Sequence, residues 1–422
     1  MANEQERMGF NATWSMAVGG MVGGGIFSVL GMIIEIAGTW TWLSFVAAGL
    51  IALATGISYT RLAERFGEGG GAFTFLRELQ HESMAGTLSW VLLLGYVLTI
   101  SVYGFTFGHY LDAAVGLGGP FPRIASAVII VVLIAVNLLG VGEASSVEIV
   151  TVWGKLVVLG GIAIAGLWHF RPDRIVYQDA SPGGVSGALL GAATIFMAYE
   201  GFQLLTYDYD DIRRPGRTLP LAIISSIVTV IVVYVVVSLG SASLVGADVL
   251  VEHKEVALAE VGRALLGMAG LVVVSVAAAF STGSAINATL FATARLARTV
   301  AEDRELPKAM ARTNRHGIPG RAVVVIGAAG TMLAVMGHLG ALVEAASLAF
   351  LFTFATVNVL AARNARGPSW VSWAGAAGAI AAGVALSVRL AIREPMSLGI
   401  LALLILSAAV GRLLVLKRES TG

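Results

Sequence analysis

Apolar residues along this chain gather into twelve long runs, separated by short stretches rich in Gly, Pro and charge. The runs lie near 12–37, 39–59, 86–111, 124–142, 148–168, 185–207, 220–245, 267–297, 322–338, 341–362, 370–391 and 397–416. About 20 apolar residues suffice to cross a bilayer as a helix. The pattern therefore predicts an all-α polytopic membrane protein with twelve transmembrane helices. The longest connections, 298–321 and 60–85, are amphipathic and predict short interfacial helices, and no soluble domain fits in any of them.

The centre of the first run reads Gly19-Gly20-Met21-Val22-Gly23-Gly24-Gly25. Each Gly costs a helix about 1 kcal/mol relative to Ala. At membrane depth, broken backbone is tolerated only where protein or a watery cavity covers it. The run therefore predicts a first helix interrupted near the bilayer midplane, as at a transporter site. The competing reading is glycine used for close helix packing. The sixth run carries Tyr199-Glu200-Gly201 in a similar interruption, five spans later. This offset predicts an inverted repeat, with one five-helix half over 12–168 and a second over 185–362. Two further helices follow over 370–416, with tails at 1–11 and 417–422.

Of 422 residues, 57% are hydrophobic and 13% charged, against about 25% charged in soluble domains. A net charge of +1 and no separate basic tail give no reason to expect nucleic acid. With no Cys there are no disulfides, thiolate metal sites or thiol nucleophiles. The polar start leads into a run too long for a signal-peptide core, so the first span is expected to remain. With the N-terminus inside, 19 of the 27 basic residues collect on the inner face, against 7 outside, with Lys155 left within a span. The positive-inside rule then places both termini in the cytoplasm and the protein in the cytoplasmic membrane, with the lipid bilayer as its surroundings.

An interruption after Val22 would expose the N–H groups of Gly23, Gly24 and Gly25 at a half-helix start, where an anion is favoured. The carbonyls of Gly19, Gly20 and Met21 would face the opposite way and suit a cation. Two such poles match the backbone of an α-amino acid. The sixth span would add its carbonyls, with Phe196, Met197 and Tyr199 as a wall beside the ligand. Glu200, charged within a span, is by default a functional candidate. It would receive an ammonium group or a proton, or else hold the interruption in place through a polar neighbour.

Lys155 lies six residues past Ile149, ~9 Å along the fifth span at 1.5 Å per residue. From there it could snorkel to the inner interface. Alternatively, its ammonium fills a cation site between the first and eighth spans, with the Gly19 carbonyl and the Ser281 and Ser284 hydroxyls as ligands. Burial disfavours the charged amine, so such a lysine could lose and regain a proton, making protons the coupling ion. Glu35 and Glu344 read as rim residues, and Asp208, Asp210 and Asp211 as an ion-pair cluster with adjoining Arg213 and Arg214. The histidines show no metal-ligand spacing, and neither a nucleotide loop nor a nucleophile–base grouping accompanies the glycines. No cofactor, metal or enzymatic activity is expected.

Ser15-Met16-Ala17-Val18-Gly19-Gly20-Met21-Val22-Gly23-Gly24-Gly25-Ile26-Phe27-Ser28 resembles the first-helix motif of the amino acid–polyamine–organocation superfamily. Phe196 to Phe202 with Arg217-Thr218-Leu219-Pro220, Gly70 to Glu78, Asn287-Ala288-Thr289, and Asp303-Arg304-Glu305-Leu306-Pro307 resemble its further motifs in family order. The resemblance implies the leucine-transporter-like fold of five plus five helices with broken helices 1 and 6. It also implies secondary transport of amino acids by alternating access. Proton-coupled prokaryotic members carry a fifth-helix lysine in place of a sodium site, and Lys155 falls at that place, with Gly19 and Ser284 as its neighbours. Met197 stands where members carry an aromatic gate. The expectation is a proton-coupled amino acid symporter. An exchanger or uniporter with a structural Lys155 is the alternative, and a channel or receptor the alternative of another class. The oligomeric state is not legible. An uninterrupted helix over residues 19–25, with no cavity beside it, would remove the structural basis of the carrier reading.

Overall fold

The computed structural model describes residues 7–67, 69, 71–140, 145–168, 170–393, 406 and 412, with residues 145–148 described by their backbone only. Thirteen helices follow one another along them. They are α1 (Phe10–Ala37), α2 (Thr41–Phe66), α3 (Gly71–Glu78), α4 (Glu82–Val115), α5 (Phe121–Leu138), α6 (Ser145–Trp168) and α7 (Gly184–Thr194). Then come α8 (Pro215–Val245), α9 (Ala247–Glu252), α10 (Ala257–Glu302), α11 (Gly320–Met336), α12 (Leu339–Asn364) and α13 (Ser369–Arg393). Between α7 and α8 the chain is a string of short 3-10 turns.

The protein is an all-α polytopic membrane protein. Eight segments among the described residues are long and apolar enough to cross a bilayer, the first of them, Phe10–Phe66, holding both α1 and α2. The shorter apolar helices α7 and α11 add to these. Eleven of the twelve expected spans thus have a counterpart; the twelfth, near 397–416, lies outside the described residues apart from Leu406 and Arg412. α2 runs on to Phe66, so the expected interfacial segment over 60–85 is shortened to α3 and its flanks. α10 likewise carries the eighth span past Arg298 to Glu302. It begins with a separate short helix, because Leu266 (φ −133°, ψ 21°) and Gly267 (φ 61°, ψ −144°) leave helical geometry and the chain bends there.

α1 is the hub. It packs against α6, α7, α8 and α10, and nearly all of its residues from Ala17 onward are buried. A lipid-spanning helix gains little from hydrophobicity when its neighbours are as apolar as lipid, so close van der Waals contact and polar links must hold it. Both are present at its glycines and carbonyls.

Polar contacts tie the two ends of the bundle. At one end Arg77 reaches Asp303 at 2.5 Å, Arg295 reaches Asp208 at 2.7 Å, and Arg412 reaches Glu305 at 2.6 and 3.0 Å. The chain before α1 lies against the loop before α8, with the Met8 N–H donating to Asp211 O and Arg213 N–H to Met8 O. Asp208 therefore pairs across the bundle with Arg295, not with adjoining Arg213 or Arg214 as expected. At the other end Lys254 meets Glu35 at 3.1 Å and Arg389 meets Glu344 at 3.6 Å. Glu35 is exposed and fits a rim position, whereas Glu344 is buried, held against Arg389. Asp208 lies just past the sixth span; burial pushes its carboxyl up, and the Arg295 guanidinium pulls it back.

Partly exposed ion pairs contribute only about 0–1 kcal/mol each. Because the chain has no Cys, a thiol introduced as Ser284→Cys is the sole thiol in the protein. Its labelling by a membrane-impermeant maleimide is expected to speed up about two- to fivefold when Asp208→Asn or Asp303→Asn is added. An unchanged rate would show that these pairs do not hold that end closed.

Candidate functional site

The glycine run does not interrupt its helix. α1 is α-helical without a break from Phe10 to Ala37, so the expected first-helix break is absent, and with it the two-pole cradle, and the broken sixth span is left as the structural basis for a carrier. The cause is packing. A methyl group on Gly24 would lie 2.0 Å from the Tyr103 ring, on Gly23 2.4 Å from Ala285 Cβ, and on Gly25 2.2 Å from the Tyr234 hydroxyl. On Gly20 it would lie 2.9 Å from Gly201 Cα. Neighbouring elements thus occupy the missing side-chain volume, and their contacts offset the low helix propensity of the glycines. The competing reading of the sequence, glycine for close packing, is the one observed here.

Of the carbonyls expected to suit a cation, Gly19 O accepts from one, Gly20 O and Met21 O accept from hydroxyls, and Ser281, expected beside Lys155, donates to Val22 O instead. Four in succession accept a side-chain donor from four different helices. Lys155 Nζ of α6 donates to Gly19 O at 3.0 Å, and the Tyr103 hydroxyl of α4 to Gly20 O at 3.4 Å. The Tyr234 hydroxyl of α8 donates to Met21 O at 2.7 Å, and the Ser281 hydroxyl of α10 to Val22 O at 3.1 Å. One turn further, Ser28 Oγ reaches Gly24 O at 2.6 Å. A carbonyl has two lone pairs, so each can carry a second donor while the helix stays closed. Lys155 is buried, so its amine does not snorkel to an interface. Ser284, one turn along α10 from Ser281, is half-buried.

The sixth span is broken, as expected. α7 ends at Thr194, Phe196–Tyr199 form a 3-10 turn, Glu200 is extended at φ −70°, ψ 146°, and Gly201 adopts φ 129°. A φ that large favours glycine. Gly201 is doubly constrained, since a methyl group there would lie 2.7 Å from the Gly20 backbone. The two candidate segments therefore meet backbone to backbone at Gly20 and Gly201.

Around the break, free peptide groups are satisfied by side chains the sequence reading did not single out. Ser347 Oγ accepts from the Met197 N–H at 3.0 Å and donates to Thr194 O at 2.7 Å. Gln203 accepts from the Gly201 N–H at 2.9 Å and donates to Glu200 Oε1 at 3.0 Å. Its amide also reaches the Tyr96 hydroxyl at 3.3 Å, which lies 3.5 Å from that of Tyr207. Glu200 is thus held by a polar neighbour inside the break. The buried Tyr59 hydroxyl has no hydrogen-bond partner among the described residues. Phe196 packs edge-on against Phe354, and the Tyr199 hydroxyl donates to Phe45 O at 2.7 Å, so this wall faces α12 and α2 as well as α1.

Comparison with known proteins fits this architecture. An uncharacterized protein of Methanocaldococcus jannaschii is 33% identical over 300 residues, 70% of this chain and 68% of that protein. The inner membrane transport protein YbaT of Escherichia coli is 29% identical over 366 residues, 86% of this chain and 84% of its own length. The serine/threonine exchanger SteT of Bacillus subtilis is 23% identical over 320 residues, 74% and 72% of the two chains. The family described as amino acid permease matches residues 8–388. A helix broken at Glu200–Gly201, packed on a glycine-lined hub within a bundle of spans, thus belongs to a transporter and not an enzyme, and the chain is a member of the amino acid permease family.

Proposed function

We propose that the protein carries α-amino acids across the cytoplasmic membrane together with protons, by alternating access, with both termini in the cytoplasm. The observation that carries this reading is the buried Lys155 amine donating to Gly19 O at 3.0 Å. It sits where α1, α6 and α10 meet, beside the Ser281–Val22 contact. A buried ammonium is costly unless well paired, so release of its proton would weaken its hold on the α1 carbonyl. Protonation would thereby bias how tightly α1 is clamped.

Substrate then binds where α1 meets the broken sixth span, at Gly19, Gly20, Met21, Gly23, Gly24 and Gly25 and at Phe196, Met197, Tyr199 and Glu200. In the conformation described, Gly201 lies on Gly20 and the Tyr103 ring on Gly24. Binding requires these contacts to part, and α1 yields most readily at the glycines of this run, whose helix propensity is the lowest short of Pro. The name of the relative SteT supports a second reading, exchange of one amino acid for another, in which Lys155 is structural.

Uptake of labelled amino acids into proteoliposomes, with and without an inward proton gradient, separates the two. Symport requires gradient-driven accumulation; exchange gives equal uptake in both conditions, dependent on substrate preloaded inside. A thermal-shift screen tests the role of Glu200. If it receives a cationic group, lysine, arginine or putrescine stabilises more than alanine or leucine does. An equal response assigns Glu200 to holding the break.

A further inference from the structure

The connection between α10 and α11 makes little sense as a mere linker. Two hollows meet at its short 3-10 turn, Lys308–Met310. One, of about 650 Å³, lies against Arg312, Asn314, Arg321 and Val324. The other, of about 380 Å³, is an open hollow lined by apolar side chains of α4, α10 and α11, among them Trp90, Val97, Ala329 and Met332. Pro307, Met310 and Val325 border both, so the two form one continuous surface.

Charge distinguishes the mouth from the floor. Every acidic residue from Glu302 to Glu305 is already engaged: Glu302 by Arg298, Asp303 by Arg77 and Glu305 by Arg412. Arg312 and Arg321 are exposed and have no ion-pair or hydrogen-bond partner among the described residues. The floor is the reverse, with Val324, Val325 and Met332 between 44% and 57% exposed on helices that lie in the bilayer. Trp90, whose indole N–H donates to Glu305 O at 3.1 Å, stands between the loop and the apolar hollow, where an aromatic with one polar atom belongs at a membrane interface.

We infer that this surface seats an anionic phospholipid. Its phosphate lies between Arg312 and Arg321, and an acyl chain passes over Pro307, Met310 and Val325 into the hollow beside Trp90 and Met332. Basic pockets at the membrane surface hold anionic headgroups, and the guanidinium fork matches a phosphate geometrically. The continuous apolar floor selects a lipid over a free phosphate ion. The seat lies on the same loop as Asp303 and Glu305, so an occupied site steadies the acids that close this end of the bundle.

The test uses the full chain, delipidated in detergent, with binding read by native mass spectrometry and by thermal shift. Phosphatidylglycerol, phosphatidylcholine and glycerol phosphate are compared. Phosphatidylglycerol is expected to bind and stabilise more than phosphatidylcholine, and glycerol phosphate to have no effect. Each arginine adds about fivefold to the preference, so Arg312→Ala with Arg321→Ala should cut it by about twenty-five-fold. Both residues are exposed and unpaired, so folding is expected to survive. As a second variant, Met332→Trp fills the hollow and should weaken both lipids equally. An equal response to the two lipids, an intact preference in the double variant, or equal stabilisation by glycerol phosphate would each overturn the assignment.

Discussion

Lys155→Ala in proteoliposomes is expected to abolish accumulation of amino acid against a gradient while leaving equilibrative counterflow. For one proton per substrate, a pH difference of one unit supports up to about tenfold accumulation, since 1.4 kcal/mol corresponds to a factor of ten. The variant should fall to a ratio near one. The reasoning is local. Lys155 is the buried cation that touches α1, and its contact is a backbone carbonyl that a methyl side chain cannot reach. Tyr103, Tyr234 and Ser281 still hold the next three carbonyls, so α1 remains anchored and counterflow reports an intact fold. Accumulation that persists unchanged in Lys155→Ala removes the lysine from the coupling step and places proton coupling on another group.

The second large effect is steric. Gly201→Ala combines a left-handed φ of 129° with a Cβ 2.7 Å from the Gly20 backbone. Strain of this kind costs of order 1–3 kcal/mol, and overpacking typically a further 1–3 kcal/mol. A clear drop in melting temperature in detergent and loss of uptake should follow. Gly24→Ala meets a side chain instead, the Tyr103 ring. Adding Tyr103→Leu to Gly24→Ala should therefore recover much of the lost stability, whereas no neighbouring side-chain change should rescue Gly201→Ala. Equal rescue of both would mean that backbone contact between the two segments is not what Gly201 serves.

How far these contacts could be read from sequence depended on range. Spans were legible because a bilayer imposes a length and a composition on each run separately. The break at Glu200–Gly201 was legible because a carboxylate next to Gly at membrane depth fits poorly into a continuous apolar helix. The run Gly19–Gly25 was not, since unwinding and close packing demand the same residue. What decides between them is Tyr103, Tyr234 and Ala285, distant in the chain and unmarked by any local pattern. Gln203 and Ser347 were missed for the same reason, each being an ordinary polar residue until it stands beside an orphaned peptide group. Asp208 shows the opposite error: adjacency suggested Arg213 and Arg214, while the fold supplies Arg295.

Of the ligands expected for Lys155, the Gly19 carbonyl is the one it meets at 3.0 Å, while Ser281 donates to Val22 O. A lysine within a span demands a partner, and carbonyls in a glycine-rich helix are the least shielded acceptors available. The same pairing ties the fold to the proposed mechanism.

Proton movement is therefore the quantity to observe. Proteoliposomes holding a pH-sensitive dye, with equal pH on both sides, are given a mixture of the proteinogenic amino acids outside. Acidification of the lumen that follows amino acid entry, and is lost in Lys155→Ala, is the expected result. Amino acid entry with no change in luminal pH would contradict proton coupling outright.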